Sequence, residues 1–177
     1  MTTAEYLATP ETMKPQELAF GVLHVADSPL AHHQEAVLRL AIAIHEHLQA
    51  HPIGTLWVSP PDVILDAERA LVVQPDLFVV SHDRSHIVTD RVRGAPDLVV
   101  EVLSPRPRVG DIDLRLTWFA QYGVRECWLV HQVERSVEVL TFEGARTAIR
   151  RNFTRFDPIA SGVLPEFDGS PGSVLGY

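Results

Sequence analysis

The chain has 177 residues, 46% hydrophobic and 21% charged, with a formal net charge of −8 and a single cysteine, Cys127. This is the composition of an ordinary globular protein with room for one domain over residues 1–177. It contains no apolar run near the ~20 residues of a membrane helix, no basic-then-apolar leader in "MTTAEYLATPETMKPQ" and no second thiol for an internal disulfide, so a cytoplasmic setting is expected. The acidity speaks against nonspecific coating of nucleic acid. The charge is uneven, however. Residues 1–80 carry three basic side chains against ten acids, whereas residues 81–177 carry twelve arginines against thirteen acids. Lys14 is the only lysine.

Taken in chain order, "TTAEYLA" predicts a short helix, with Thr2 and Glu5 at capping-box spacing. "ELAFGVLHV" reads as one or two strands bending at Gly21. "AHHQEAVLRLAIAIHEHLQAHP" is the clearest helix. Val37, Leu40, Ala41, Ile44 and Leu48 recur at three- and four-residue steps, and Pro52 ends the run. Short β-branched runs follow: "TLWV", "DVIL", "LVV" and "DLFVV". "DLVVEVL" is apolar at nearly every position, as a strand covered on both faces would be. "DIDLRLTWFAQYG" regains helical spacing and stops at Gly123. "ECWLV" and "SVEVLTF" read as two further strands, and the Gly-, Pro- and Ser-rich tail from Asp157 as loop. The order predicts an α/β or α+β fold, a central mixed sheet flanked by helices.

Two carboxylates interrupt these strands. Asp76 stands in "VVQPDLFVV" and Glu101 in "PDLVVEVLSP". An ionised carboxylate in such surroundings needs a partner, or its pKa rises. A divalent cation between two acids removes their repulsion. Mg²⁺ takes oxygen ligands, often one or two carboxylates with waters, and the Val102 carbonyl could add another. The plain alternative is that Asp76 caps a turn after Pro75 and Glu101 pairs with an arginine.

The series "ELAFGVL", "HHQEAVLRLA", "QPDLFVVS", "GAPDLVVEVLSPRPR" and "DIDLRLTWFAQYGVRECWLV" resembles the Uma-type putative restriction endonuclease family, within the PD-(D/E)XK nuclease superfamily. The resemblance runs from about Ala4 to about Thr141. It implies a restriction-endonuclease-like core and hydrolysis of nucleic-acid phosphodiesters, with DNA the expected partner and Mg²⁺ or Mn²⁺ the cofactor. The two signature acids would be Asp76 and Glu101. Glu17 and His33 match the family's early glutamate and its helix-start histidine. Where the superfamily pattern asks for a lysine, two residues after Glu101, this chain has Leu103. The position on the following helix that usually carries the lysine instead is Arg115. Arginine stays charged and cannot act as a base, but it can stabilise transition-state charge. Phe20 and His131 also depart from the family pattern, each standing where an aspartate is common.

Other features read as structural. His47 and His51 do not form HExxH and read as a solvated helix face. Cys127 reads as core. Ser104 lacks a nucleophile elbow. Arg84, Arg91, Arg93, Arg106, Arg108, Arg115 and Arg125 either line a phosphate groove or answer nearby acids. Beside the nuclease, two rivals stand: a degenerate member that binds nucleic acid or a partner without cutting, and an interaction domain whose acids are satisfied by arginines. A nuclease that cuts both strands suggests a homodimer.

Overall fold

Two apolar periodicities organise the structure, a computed structural model that describes residues 1–10, 12, 14–103 and 112–176. The period-3.6 run forms α2 (Ala31–Ala50), after the short α1 (Thr3–Leu7), whose Thr2–Glu5 capping box is present. Leu40 and Ile44 of α2 are fully buried, while Leu38 and Ile42 on its opposite side are exposed. The strand segments give the mixed α+β architecture expected, divided between two sheets among the described residues.

The smaller sheet contains β1 (Gln16–Ala19), β2 (Val22–Val25), β4 (Val63–Asp66), β5 (Leu71–Val73) and β7 (Val92–Arg93), in the order β2-β1-β5-β4-β7. β1 and β2 form a hairpin whose two turn residues, Phe20 and Gly21, both have positive φ, 49° and 87°. Such a turn suits the twist of a hairpin, but a phenylalanine there is strained. Its ring packs edge-on against Trp118, at 5.7 Å between centroids, which gives that conformation something in return.

The larger sheet has the order β11-β10-β9-β8-β6-β3. Its strands are β3 (Gly54–Val58), β6 (Leu77–Ser81), β8 (Leu98–Leu103), β9 (Glu126–His131), β10 (Ser136–Glu143) and β11 (Arg146–Thr154). Of the pairs between these described strands, β8–β9 alone is parallel. A parallel pair needs a long crossover, and α3 (Ile112–Tyr122) lies within it. Alternation along β8 sorts the core. Leu98, Val100 and Val102 pack with Leu40 and Ile44 of α2; Val99 packs with Leu116 and Phe119 of α3. Glu101, two residues from Val99, therefore faces the α3 side. The β6–β8 register pairs Leu77 with Val100. One step further along the antiparallel pair brings Asp76 opposite Glu101.

Four elements differ from expectation, the two-residue β7 among them. "RTAIRRNFT" forms β11 although no strand pattern marks it, and the tail contains α4 (Pro171–Leu175) rather than loop alone. A 3-10 helix (His82–Ile87) follows β6. No helix among the described residues is long and apolar enough to cross a membrane.

Candidate active site

The ends of β6 and β8 place two acids side by side, and β1, α2 and α3 bring three further polar side chains to them. Asp76 immediately precedes β6, and its Oδ2 accepts the Val102 N–H at 2.9 Å. That bond links the two strands beyond their regular pairing. The same oxygen lies 3.2 Å from Nε2 of His33, in the first turn of α2. His33 is 2% exposed, so this contact is made away from water.

Arg115 of α3 is the hub of the pocket. Its Nη1 donates to Oε2 of Glu17 at 2.5 Å, and its Nη2 donates to Oε1 of Glu101 at 2.5 Å. The guanidinium thus joins β1 of one sheet to β8 of the other. Its carbon sits 5.5 Å from the centre of the Phe119 ring, one helical turn on, and its Nε has no hydrogen-bond partner among the described residues. Glu17 Oε1 takes the backbone N–H of Gln74 at 2.7 Å. The Gln74 side chain in turn donates to Asp62 Oδ1, which also accepts the Tyr6 hydroxyl at 3.0 Å. Gln74, Asp62 and Tyr6 therefore buttress Glu17. Sequence reasoning misses all three; the one available signal is the position of Gln74 in "QPD", two residues before Asp76.

The electrostatics follow from crowding. Burial raises the Glu101 carboxyl, Arg115 pulls it down and the charges of Asp76 and Glu17 push it up again, leaving it at about 7. Burial would lower the Arg115 pKa, but the charges of Glu101 and Glu17 outweigh it, so the guanidinium stays a cation throughout. Two carboxylates grip one guanidinium, and the charge of Asp76 also bears on Glu101, so the acids of the cluster outnumber its one permanent cation.

The site residues expected from the sequence, Asp76, Glu101, Arg115, Glu17, His33 and Val102, all meet here. Of the two readings of the arginines, pairing with nearby acids accounts for the described ones outside the cluster. Arg84 and Arg125 both pair with Asp97, Arg91 with Asp62 and Arg93 with Asp90. Each has an acid within reach, and Asp97, wholly buried, needs its cations. Arg106, Arg108 and Ser104 lie outside the described residues. His47 is buried against Phe167 and His51 rather than on the solvated face expected, while His51 keeps partial exposure. Cys127 is buried in the core, in keeping with its place in "ECWLV".

The donor chemistry of the pocket is that of a hard divalent cation, namely carboxylate oxygens with excess negative charge. Among the described residues, no group of three or more acids, histidines or cysteines is spaced to enclose an ion as the side chains stand. The guanidinium of Arg115 already bridges two of the acids.

Comparison with known proteins gives a consistent picture. The family model of Uma2, described as "Putative restriction endonuclease", matches residues 3–170. Among solved structures, a putative nuclease belonging to DUF820 from Anabaena variabilis ATCC 29413 superposes with a TM-score of 0.82 at 18% identity, covering 99% of this chain and 97% of that one. At that identity the likeness shows the fold. No curated protein sequence matches.

Proposed function

The chain belongs to the Uma2 family of putative restriction endonucleases, and from that premise we propose that it is a divalent-metal-dependent endonuclease that hydrolyses phosphodiester bonds in DNA. The observation that supports this best is the meeting of Glu17, His33, Asp76, Glu101 and Arg115 in one buried pocket. They come from separate segments, and a fold has no structural need to collect three acids in one place.

Asp76 and Glu101 would hold the ion, Mg²⁺ or Mn²⁺, with the Val102 carbonyl as an additional oxygen. When bound, the ion supplies Lewis acidity and a more acidic water. The protein's own groups do the rest. The Val102 N–H and His33 fix the Asp76 carboxylate, so its free oxygen is presented in one orientation. Glu17, His33 or both position the attacking water or take its proton. Arg115, permanently charged, cannot serve as the base; it stabilises the extra negative charge that gathers on the phosphoryl oxygens in the transition state. Cutting both strands is served by a twofold pair of chains, so a homodimer is part of the proposal, and sedimentation velocity reads it.

One observation favours a second reading, a member that binds nucleic acid without cutting. Arg115 stands in the lysine's place and is held by two carboxylates. A plasmid-cleavage assay with Mg²⁺ or Mn²⁺ separates the two. The enzyme reading expects cutting by the natural chain and a fall of at least about a hundredfold in Asp76→Ala. No cutting by the natural chain, with cutting gained in Arg115→Lys, establishes the second reading. Absence of cutting in every variant, with no metal bound, removes the first.

A further inference from the structure

Arg115 does more than stand where a lysine is expected. We propose that its guanidinium is a resident cation that competes with the divalent ion, so that the ion enters only as Arg115 leaves Glu101. This rests on the metal-dependent reading of the same pocket and adds to it a latch built from the chain itself.

Space and charge both set the guanidinium against the ion. Glu101 would be a metal ligand, yet its Oε1 is already taken by Arg115 at 2.5 Å. Glu17, the acid on the other side, is taken by the same guanidinium. Both ion pairs are shielded from water, with Arg115 7%, Glu17 6% and Glu101 12% exposed at the side chain. In such a place like charges repel far more strongly than in bulk water. A doubly charged ion on Glu101 and the guanidinium on its Oε1 would repel each other across one carboxylate, and each weakens the other's hold.

A contact that can keep the charge is already in place. Arg115 lies over the Phe119 ring, and its Nε has no hydrogen-bond partner among the described residues. A cation–π contact can hold the charge after the bond to Glu101 is given up, while the bond to Glu17 remains as the pivot. A lysine would hold the two acids differently, since its compact ammonium lacks the planar fork that grips both at fixed geometry. The consequence is a resting protein with weak affinity for divalent ions, in which ion entry and repositioning of Arg115 are one event.

Isothermal titration of the full chain with Mn²⁺, at about pH 8 to keep the carboxylates ionised, tests this without any cleavage readout. Arg115→Met removes the competing charge at similar volume and is expected to bind Mn²⁺ at least about tenfold more tightly than the natural chain. Arg115→Lys should fall between the two. Should Arg115→Met fail to fold, judged by far-ultraviolet circular dichroism, Arg115→Gln, which also removes the charge, decides against the natural chain: tighter binding supports competition, equal or weaker binding overturns it. Equal affinity in all folded variants, abolished by Asp76→Ala, overturns the latch and leaves the metal site standing. No Mn²⁺ binding in any variant overturns both.

Discussion

At the scale of single residues, a wholly buried and heavily bonded acid lies outside the candidate site. Asp97 has no exposed surface, and it accepts the Ser81 N–H at 2.8 Å, the Ser81 hydroxyl at 2.7 Å and an Arg84 N–H at 3.1 Å. Burial alone would raise its pKa; the Ser81 hydrogen bonds and the Arg84 charge outweigh that and hold it below the usual aspartate range. A carboxylate whose pKa is lower in the folded than in the unfolded state contributes stability that is complete above the unfolded value, about 3.9, and is lost as pH falls through the folded one. Asp97→Asn should therefore cost about 2–3 kcal/mol at neutral pH and flatten the fall in urea midpoint below about pH 4. Unchanged acid sensitivity in that variant would show that Asp97 is not the group responsible. The arrangement also explains why the arginines are half legible. Their number and clustering show in the sequence, but which acid each meets depends on a 3-10 turn and two strand ends that spacing does not reveal. Asp76 and Glu101 are legible because an acid inside an apolar run is a local signal. Gln74 and Asp62 are not, since their importance comes only from touching Glu17 and Tyr6.

At the scale of elements, legibility tracks burial. α2 and β8 announce themselves because one buries a stripe and the other both faces, and each leaves its own period in the sequence. β11 is exposed along nearly its whole length and carries Arg146, Arg150 and Arg151, so no apolar alternation marks it. It forms because β10 offers an edge, and its register is held in part by Arg150 gripping Glu138 through two bonds, at 2.7 and 2.6 Å. α4 is hidden by composition. Its five residues, "PGSVL", contain glycine and proline, yet proline suits the first turn of a helix, and Ser170 and Ser173 form a capping box. What seats it is Gly172. That N–H donates to the Arg155 carbonyl at 2.7 Å, and a Cβ at this position would lie 2.7 Å from the same oxygen. Gly172→Ala must therefore push α4 off the backbone it docks against, with an expected cost of about 2 kcal/mol and a melting temperature lower by roughly 4–8 °C. A melting curve superimposable on that of the natural chain would mean that the close approach is not needed for docking.

At the scale of the whole molecule, the two sheets share the pocket. Glu17 belongs to the sheet of β1, Glu101 to that of β8, and Arg115 spans them. Sequence resemblance aligns these residues with a family pattern, but it cannot say that the arginine ties two sheets together, because the contact joins positions 98 residues apart. The tie makes a quantitative demand. Removing one partner of a buried ion pair strands the other, so Glu17→Gln and Arg115→Met should each destabilise by about 3 kcal/mol. The double variant leaves no stranded guanidinium facing the new amide, and replacing both partners costs less than the sum of the parts. The expected coupling is at least about 1.5 kcal/mol, read from guanidinium-chloride unfolding of the four proteins in a double-mutant cycle. Strict additivity would mean that Glu17 and Arg115 act independently and that the sheets are joined elsewhere. The same cycle built with Glu101 in place of Glu17 measures the bond that the divalent ion has to break. If Arg115 is a latch anchored on β1, the Glu17 coupling should persist in saturating Mn²⁺ while the Glu101 coupling shrinks, because only the second contact is surrendered when the ion enters.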